Sequence, residues 1–228
     1  MKHKNKVSLL GYYGSDEIIA CSAWTSTSRN LTEEKRKRIP SMINQLWKSE
    51  PVPHKSPFEK GIVHFLVDTD IATHIHLLKH RIASINGESA RYKELKEDKF
   101  YLPDDWKKVV VSNNNIRVNE SYSENSWYGV LENISELTNN LYHECIKDLE
   151  PILGRKRAKE TARFFKMYNS QIEADVMFNM SSFHNFLTQR KDKEHAQGEI
   201  FDVATEMLNL IKNIEGNPFE HTLKAWNF

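Results

Sequence analysis

At 228 residues the chain is long enough for one large domain or two small ones around a substantial core, and its composition has neither collagen-like nor disordered bias. A formal net charge of +1 excludes a protein that grips nucleic acid through a general basic surface. The two cysteines, Cys21 and Cys145, are too distant for a disulfide framework or zinc ribbon, and no run approaches the roughly 18 apolar residues of a membrane span. The basic opening has no continuous apolar run or small-residue cleavage site, so no signal peptide is read there. The expectation is a soluble, cytoplasmic protein without nucleic-acid or membrane partners, in which any bound anion is held by a local cluster.

The opening "VSLLGYYGSDEIIACSAWTS" carries β-favouring runs broken by Gly11 and Gly14 and predicts a strand pair, or a strand and loop. Pro40 opens a helix in which Ile43, Leu46 and Trp47 recur at helical spacing. "GIVHFLVDT" (61–69) reads as a buried strand, and "DIATHIHLLKHRIAS" (70–84) as a helix capped by Asp70. Residues 104–129 are polar and aperiodic, a variable excursion. A long helix from about Val130 places Leu131, Ile134, Leu137, Leu141, Ile146 and Leu149 on one stripe and ends at Pro151 and Gly154. A basic helix follows over about 155–166, then a half-buried strand, "QIEADVMF" (171–178). Further helices are expected near 180–190 and 194–214, the latter turning Ala196, Ile200, Val203, Met207 and Ile211 to a core, with a short helix at the C-terminus. No internal repeat or long linker appears, and the reading is one α+β domain over 1–228.

Histidines crowd the middle of the chain. His76 and His80 are four apart and on one helix would share a face able to reach a metal. No zinc-protease glutamate or cysteine pair accompanies them, and ordinary surface or hydrogen-bonded core histidines are the expectation, with no metal site. Neither "LGYYG" nor "LGRK" has the glycine spacing of a phosphate loop, so a bound nucleotide has to be held by side chains. Arginine is suited to hold one, because its planar fork meets a phosphate or carbonyl edge through two donors and stays charged when desolvated. Arg81, Arg91, Arg163 and Arg190 each stand beside apolar or small residues, although a lone arginine is most often simply solvated.

The segment "KHRIASINGESARY" (79–92) sharpens this reading. Lys79-His80-Arg81, seven residues and then Ser89 resembles the signature of the flavin-dependent thymidylate synthases, Arg-His-Arg, seven residues, Ser, and Ala90-Arg91-Tyr92 continue the likeness. "HKSPFEK" (54–60), "FYLPDDW", "TARFF" around Arg163 and "FNMSSFHNFLTQRKDKEHAQGEI" resemble further family blocks in family order, covering most of residues 7–214. The resemblance implies an α+β domain with a central, mainly antiparallel sheet flanked by helices, assembled as a homotetramer with FAD and dUMP bound where subunits meet. It implies reductive methylation of dUMP to dTMP, with methylenetetrahydrofolate as carbon donor and NADPH as reductant of the flavin.

Carried over position by position, Arg190 matches the residue that activates the uracil. Ser89, Arg91 and Arg163 match dUMP contacts, and the same subsite takes in His76, Lys79, Gly87, Glu88 and Ala90. The FAD set is His54, Ser56, Lys79, His80, Arg81, Gly87, Asn179, Ser181 and Asn185. Arginine donors beside a uracil carbonyl stabilise charge developing on the ring, and a flavin carries the redox chemistry itself. Ser89 then reads as a ligand hydrogen-bonder and not a nucleophile. This chain departs from the family pattern at five of these positions: Ser56 replaces a threonine, Lys79 an arginine, His76 a glutamine, Gly87 a glutamate, and Ser181 the arginine of Asn-x-Arg. A relative that transfers hydroxymethyl, or a nucleotide-binding module without turnover, are the alternatives.

Overall fold

In the computed structural model, which describes residues 1–112 and 126–228, the first strand β1 (Lys6–Tyr13) ends at Gly14. There φ is +88°, and an added Cβ would stand 2.8 Å from the carbonyl oxygen of Lys60, so both conformation and space call for glycine. Ser15 then caps helix α1 (Asp16–Trp24), its side chain accepting from the Ile18 amide. The second apolar run of the opening is therefore a helix and not a strand. Ser15 and the acidic pair Asp16-Glu17 form a good helix start, and the run buries Ile19, Ala20, Cys21 and Trp24 at helical spacing.

Thr32 caps the short α2 (Glu33–Lys37), and α3 (Ile39–Trp47) has its proline in the first turn, as expected. A single 3-10 turn, Ser56–Lys60, leads into β2 (Ile62–Asp70). Asp70 caps α4 (Ile71–Leu78) by accepting from both the amide and the hydroxyl of Thr73 at 2.8 Å. The helix expected over 70–84 stops at Leu78, and β3 (Ala83–Gly87) follows. Ile82 and Ile85 continue the helical spacing of Leu78, but Ile82 is 75% exposed, and Ala83, Ile85 and Gly87 alternate as strand residues instead.

After a 3-10 turn at Asp104–Lys108, α5 (Trp127–Ala162) starts on a Ser126 cap and is interrupted at Gly154, φ +75°. This gives the two helices expected on either side of that glycine. Half of the excursion expected over 104–129, residues 113–125, lies outside the described residues, and the rest includes the 3-10 turn and the first residues of α5. The buried face of α5 differs from the predicted stripe. Ser135, Asn139, Tyr142 and Ile146 face inward, while Leu137 and Leu141 are 49% and 41% exposed. The inward polar groups are satisfied. Asn169 donates to Ser135 Oγ at 2.8 Å, and Lys166 donates to Asn139 Oδ1 at 2.6 Å while standing 4.3 Å over the Tyr142 ring.

Strand β4 (Gln171–Asn179) runs into α6 (Met180–Arg190), capped by Asn179, whose Oδ1 accepts from the Ser182 amide at 2.8 Å. Helix α7 (Gly198–Lys212) buries Ile200, Val203, Met207 and Ile211. Ala196, expected on that face, precedes the helix. Helix α8 (Glu220–Ala225) closes the chain. The four strands form one mainly antiparallel sheet in the order β1-β2-β4-β3, the α+β class expected.

Two compact units emerge from the chain. One comprises residues 1–6, 68–75 and 87–174; the apolar cluster of Tyr142, Ile146, Ala158 and Ala162 lies within it. The other comprises residues 7–67, 76–86 and 175–228. Its core holds Phe65, Phe178, Phe183 and Phe186, with ring centroids 5.2 Å apart for Phe178 and Phe186 and 5.8 Å for Phe65 and Phe183.

Candidate functional site

In the unit formed by residues 7–67, 76–86 and 175–228, three segments surround a cleft of about 460 Å³. Lys79, His80, Arg81 and Ile82 come from the turn between α4 and β3. Asn179, Ser181, Ser182, Asn185 and Gln189 line the first turns of α6 and the face above them, and Lys55 and Glu59 come from the 3-10 region before β2. The start of α6 is a site of positive dipole, with the Met180 amide donating to the Gly61 carbonyl at 2.9 Å and the Ser182 amide to Asn179. With Lys55, Lys79 and Arg81 around it, the cleft is built for an anion that also wants amide and hydroxyl partners.

Of the nine residues expected at FAD, the cleft brings together Lys79, His80, Arg81, Asn179, Ser181 and Asn185. His54 and Ser56 flank the lining residue Lys55 and are exposed, with the His54 amide bonded to the Leu46 carbonyl at 2.8 Å. Gly87 belongs to the other unit. Lys55, Glu59, Ile82, Ser182 and Gln189 were not expected from the sequence. Only Ser182 carries a local signal, standing three residues after the capping Asn179.

Arg190, at the last turn of α6, donates its Nε–H to Nε2 of His80 at 3.0 Å. His80 is 7% exposed, with its ring edge-on to Phe186 at 4.9 Å. Burial first, then the positive charge of Arg190 and of His76, pushes its imidazole down to about 4, so the ring is neutral near pH 7. Burial also lowers the Arg190 guanidinium from its usual range. His76 takes a different partner, Gln197 Oε1 at 2.9 Å. The shared helical face expected for His76 and His80 does not form, because α4 ends before His80. Among the described residues no group of three or more His, Cys, Asp or Glu side chains is placed to hold a metal.

The remaining expected nucleotide residues lie in the unit formed by residues 1–6, 68–75 and 87–174. Glu88 is drawn into the sheet edge: its amide donates to the Glu173 carbonyl at 2.8 Å, and its side chain accepts from the Glu173 amide and from Lys93. Ser89 and Ala90 are half-buried, and the Ser89 carbonyl closes a turn by accepting from Tyr92 and Lys93. Arg91 is exposed and pairs with Glu160, and Arg163 is exposed just after α5. An added Cβ on Gly87 would meet the His74 ring at 3.3 Å, so this imidazole occupies the space a side chain at 87 would need.

The family model described as Thymidylate synthase complementing protein matches residues 8–215. The chain belongs to this family. A flavin-dependent thymidylate synthase of Pseudothermotoga lettingae is 32% identical over 208 residues, covering 91% of this chain and 85% of the relative. The Thermosipho melanesiensis protein of the same description is 34% identical over 173 residues, covering 75% and 72%. Among solved structures, a UMP/dUMP methylase, PolB, from Streptomyces cacaoi bound with 5-Br dUMP superposes with a TM-score of 0.71 at 25% identity, covering 99% of this chain and 96% of that one. The same methylase bound with 5-Br UMP is 23% identical with the same TM-score, a likeness of fold.

This family member carries a donor set that fits a flavin of the kind its relatives' description names. Cations answer a phosphate, while the helix start and the Asn, Ser and Gln side chains answer the polar edges of a ring and a ribityl chain.

Proposed function

We propose that this family member is an FAD-dependent thymidylate synthase that methylates dUMP to dTMP, with methylenetetrahydrofolate as carbon donor and NADPH as reductant. The observation that carries the reading is the gathering of Lys79, His80, Arg81, Asn179, Ser181 and Asn185 around one cleft, with Arg190 held against His80. Bound flavin supplies the hydride chemistry, which no side chain of this chain can supply. Arg190 presents donors to the uracil carbonyl edge and stabilises the charge that develops on the ring. Ser89, Arg91 and Arg163, with His76, Lys79, Gly87, Glu88 and Ala90, make up the nucleotide subsite. Arg91 exchanges its Glu160 partner for the ligand phosphate.

The reading carries a homotetramer with sites shared between subunits. The exposure of Tyr92, Ile152, Phe164 and Tyr168, all within the unit of residues 1–6, 68–75 and 87–174, supports association.

Tritium release from carbon 5 of labelled dUMP, with FAD, NADPH and methylenetetrahydrofolate present, tests the reading. Release with formation of dTMP supports it. Nucleotide binding without release makes the chain a non-catalytic module, and release with a hydroxymethyl product makes it a hydroxymethyl-transferring relative. Labelled UMP is assayed beside dUMP because the PolB neighbour is described as a methylase of both.

A further inference from the structure

We infer that His80 is a positioning residue for Arg190, a neutral Nδ1–H imidazole whose Nε2 lone pair holds the guanidinium by its Nε–H and leaves the terminal Nη pair for the substrate. The inference rests on the proposed role of Arg190 and deepens it.

An arginine has five N–H donors, no acceptor, and does not lose its proton in a protein. The 3.0 Å contact from Arg190 Nε therefore requires a lone pair on His80 Nε2. The ring proton must be on Nδ1, and the ring must be neutral. A protonated ring would set donor against donor and cation against cation at the same distance. The surroundings favour the neutral form: His80 is buried, Arg190 and His76 face it, and Lys79 and Arg81 flank it in sequence.

The helix supplies the rest of the clamp. Phe186 and Arg190 are four residues apart on α6 and so share a face. His80 lies edge-on to the first and bonded to the second, while its own amide is tied to the Leu77 carbonyl at 3.0 Å. A guanidinium held at Nε keeps its flat end-on edge, two parallel Nη–H groups, which is the edge that can meet a carbonyl oxygen and an adjacent ring nitrogen together. An untethered arginine would spend rotamer freedom on reaching that geometry at each turnover.

Two readouts test this. In 15N-labelled full-length protein, imidazole NMR should show His80 with Nδ1 protonated and Nε2 unprotonated throughout pH 5.5–8, the resonances assigned by their loss in His80→Gln. An Nε2-protonated tautomer, or a titration midpoint above 6, overturns the proposal whether or not the protein methylates anything. In kinetics at saturating FAD, His80→Phe keeps the aromatic contact and loses the acceptor, and its kcat should fall about 100-fold with little change in KM for dUMP. His80→Gln places a carbonyl oxygen near the Nε2 position and should recover at least about tenfold of that loss. Equal losses in the two variants, or a loss confined to KM, count against positioning. If the tautomer is as inferred but Arg190→Lys leaves tritium release intact, the contact stands and the assignment of Arg190 fails.

Discussion

The carboxylate of Asp16 accepts from the hydroxyl of Thr222 at 2.6 Å and from its amide at 3.0 Å, joining the start of the first helix to a residue 206 positions away. A third bond comes from the His221 amide at 2.7 Å, so Asp16 caps α8 from outside that helix. The family match ends at residue 215, yet Phe219, Thr222, Leu223 and Trp226 beyond it are buried. Asp16→Ala would leave two amides and a hydroxyl unpaired in a site 6% exposed. At 1–3 kcal/mol for each such group, with some recovered by water, the expected cost is about 3 kcal/mol. Urea unfolding measures it, and a loss below about 1 kcal/mol means that α8 is not held by this cap.

Much of this architecture is legible from local signals, and the departures have local causes. Asn179 before an amphipathic run, Asp70 before α4 and Gly154 inside a long helical pattern each act within a few residues, and each does in the fold what its position predicts. Ile18-Ile19 favours a strand by β-propensity, but the Ser15 cap decides for helix. The α5 stripe departs from expectation because apolar spacing cannot anticipate Ser135 and Asn139 facing inward to meet Asn169 and Lys166. At the cleft, the ordered family blocks point to two of its three segments, the turn between α4 and β3 and the start of α6. Lys55, Glu59 and Gln189 are ordinary surface residue types, and the His80–Arg190 bond spans 110 positions with no pattern linking its ends.

Acid should unfold this protein through two neutral imidazoles. His184 packs against Trp47 at 4.3 Å and Trp226 at 5.0 Å, and burial, then Lys55, pushes it down to about 4. His80 is pushed to about 4 as well, by burial first. Both have ordinary values near 6.5 in the unfolded chain. Between those limits the unfolded state binds more protons, so stability is fully present above pH 6.5 and is lost as the pH falls toward 4, by at most about 3 kcal/mol per group. His184→Phe should flatten part of the decline in melting temperature across that window. An unchanged slope removes His184 from this account.

Gly87 and His74 should be energetically coupled. The His74 ring is buried, burial lowers its pKa, and it lies 3.3 Å from where a Cβ at 87 would stand. Gly87→Ala should cost about 1 kcal/mol by crowding that ring. In a His74→Ala background the same change should become neutral or stabilise by about 0.5 kcal/mol, because alanine loses less backbone entropy than glycine. A double-mutant cycle reads the difference directly. Additive effects would mean that the ring moves aside freely.

Flavin binding should appear as heat resistance as well as colour. At FAD concentrations about 100-fold above Kd the folded state gains about 2.7 kcal/mol, which for a chain of this size raises the melting temperature by roughly 5–10 °C. Arg81→Ala, removing a cleft cation, should weaken FAD binding and shrink the shift without changing the melting temperature of the protein alone, since Arg81 is exposed. Saturating FAD that gives neither a bound-flavin spectrum nor a shift would contradict the assignment of the cleft.

Arg190→Lys and Arg163→Lys should separate turnover from binding. Arg190 is positioned by its bond to His80, and the preceding Phe186 and Leu187 are fully buried, so the guanidinium projects from a rigid helix end. Lysine keeps the charge but loses both the Nε–H that reaches His80 and the planar fork. Losing a preorganised donor aimed at developing charge lowers kcat by about 100- to 1000-fold, while affinity for dUMP, shared with other cations, should fall only modestly. Arg163 is exposed at the end of α5, and lysine there retains the charge that a phosphate needs but not bidentate geometry. If Arg163 holds the ligand equally in ground and transition states, its variant raises KM with kcat nearly unchanged. Steady-state kinetics and a dUMP binding isotherm on the two variants suffice. The assignment of Arg190 as the activating residue fails if its lysine variant keeps near-normal kcat and loses affinity instead.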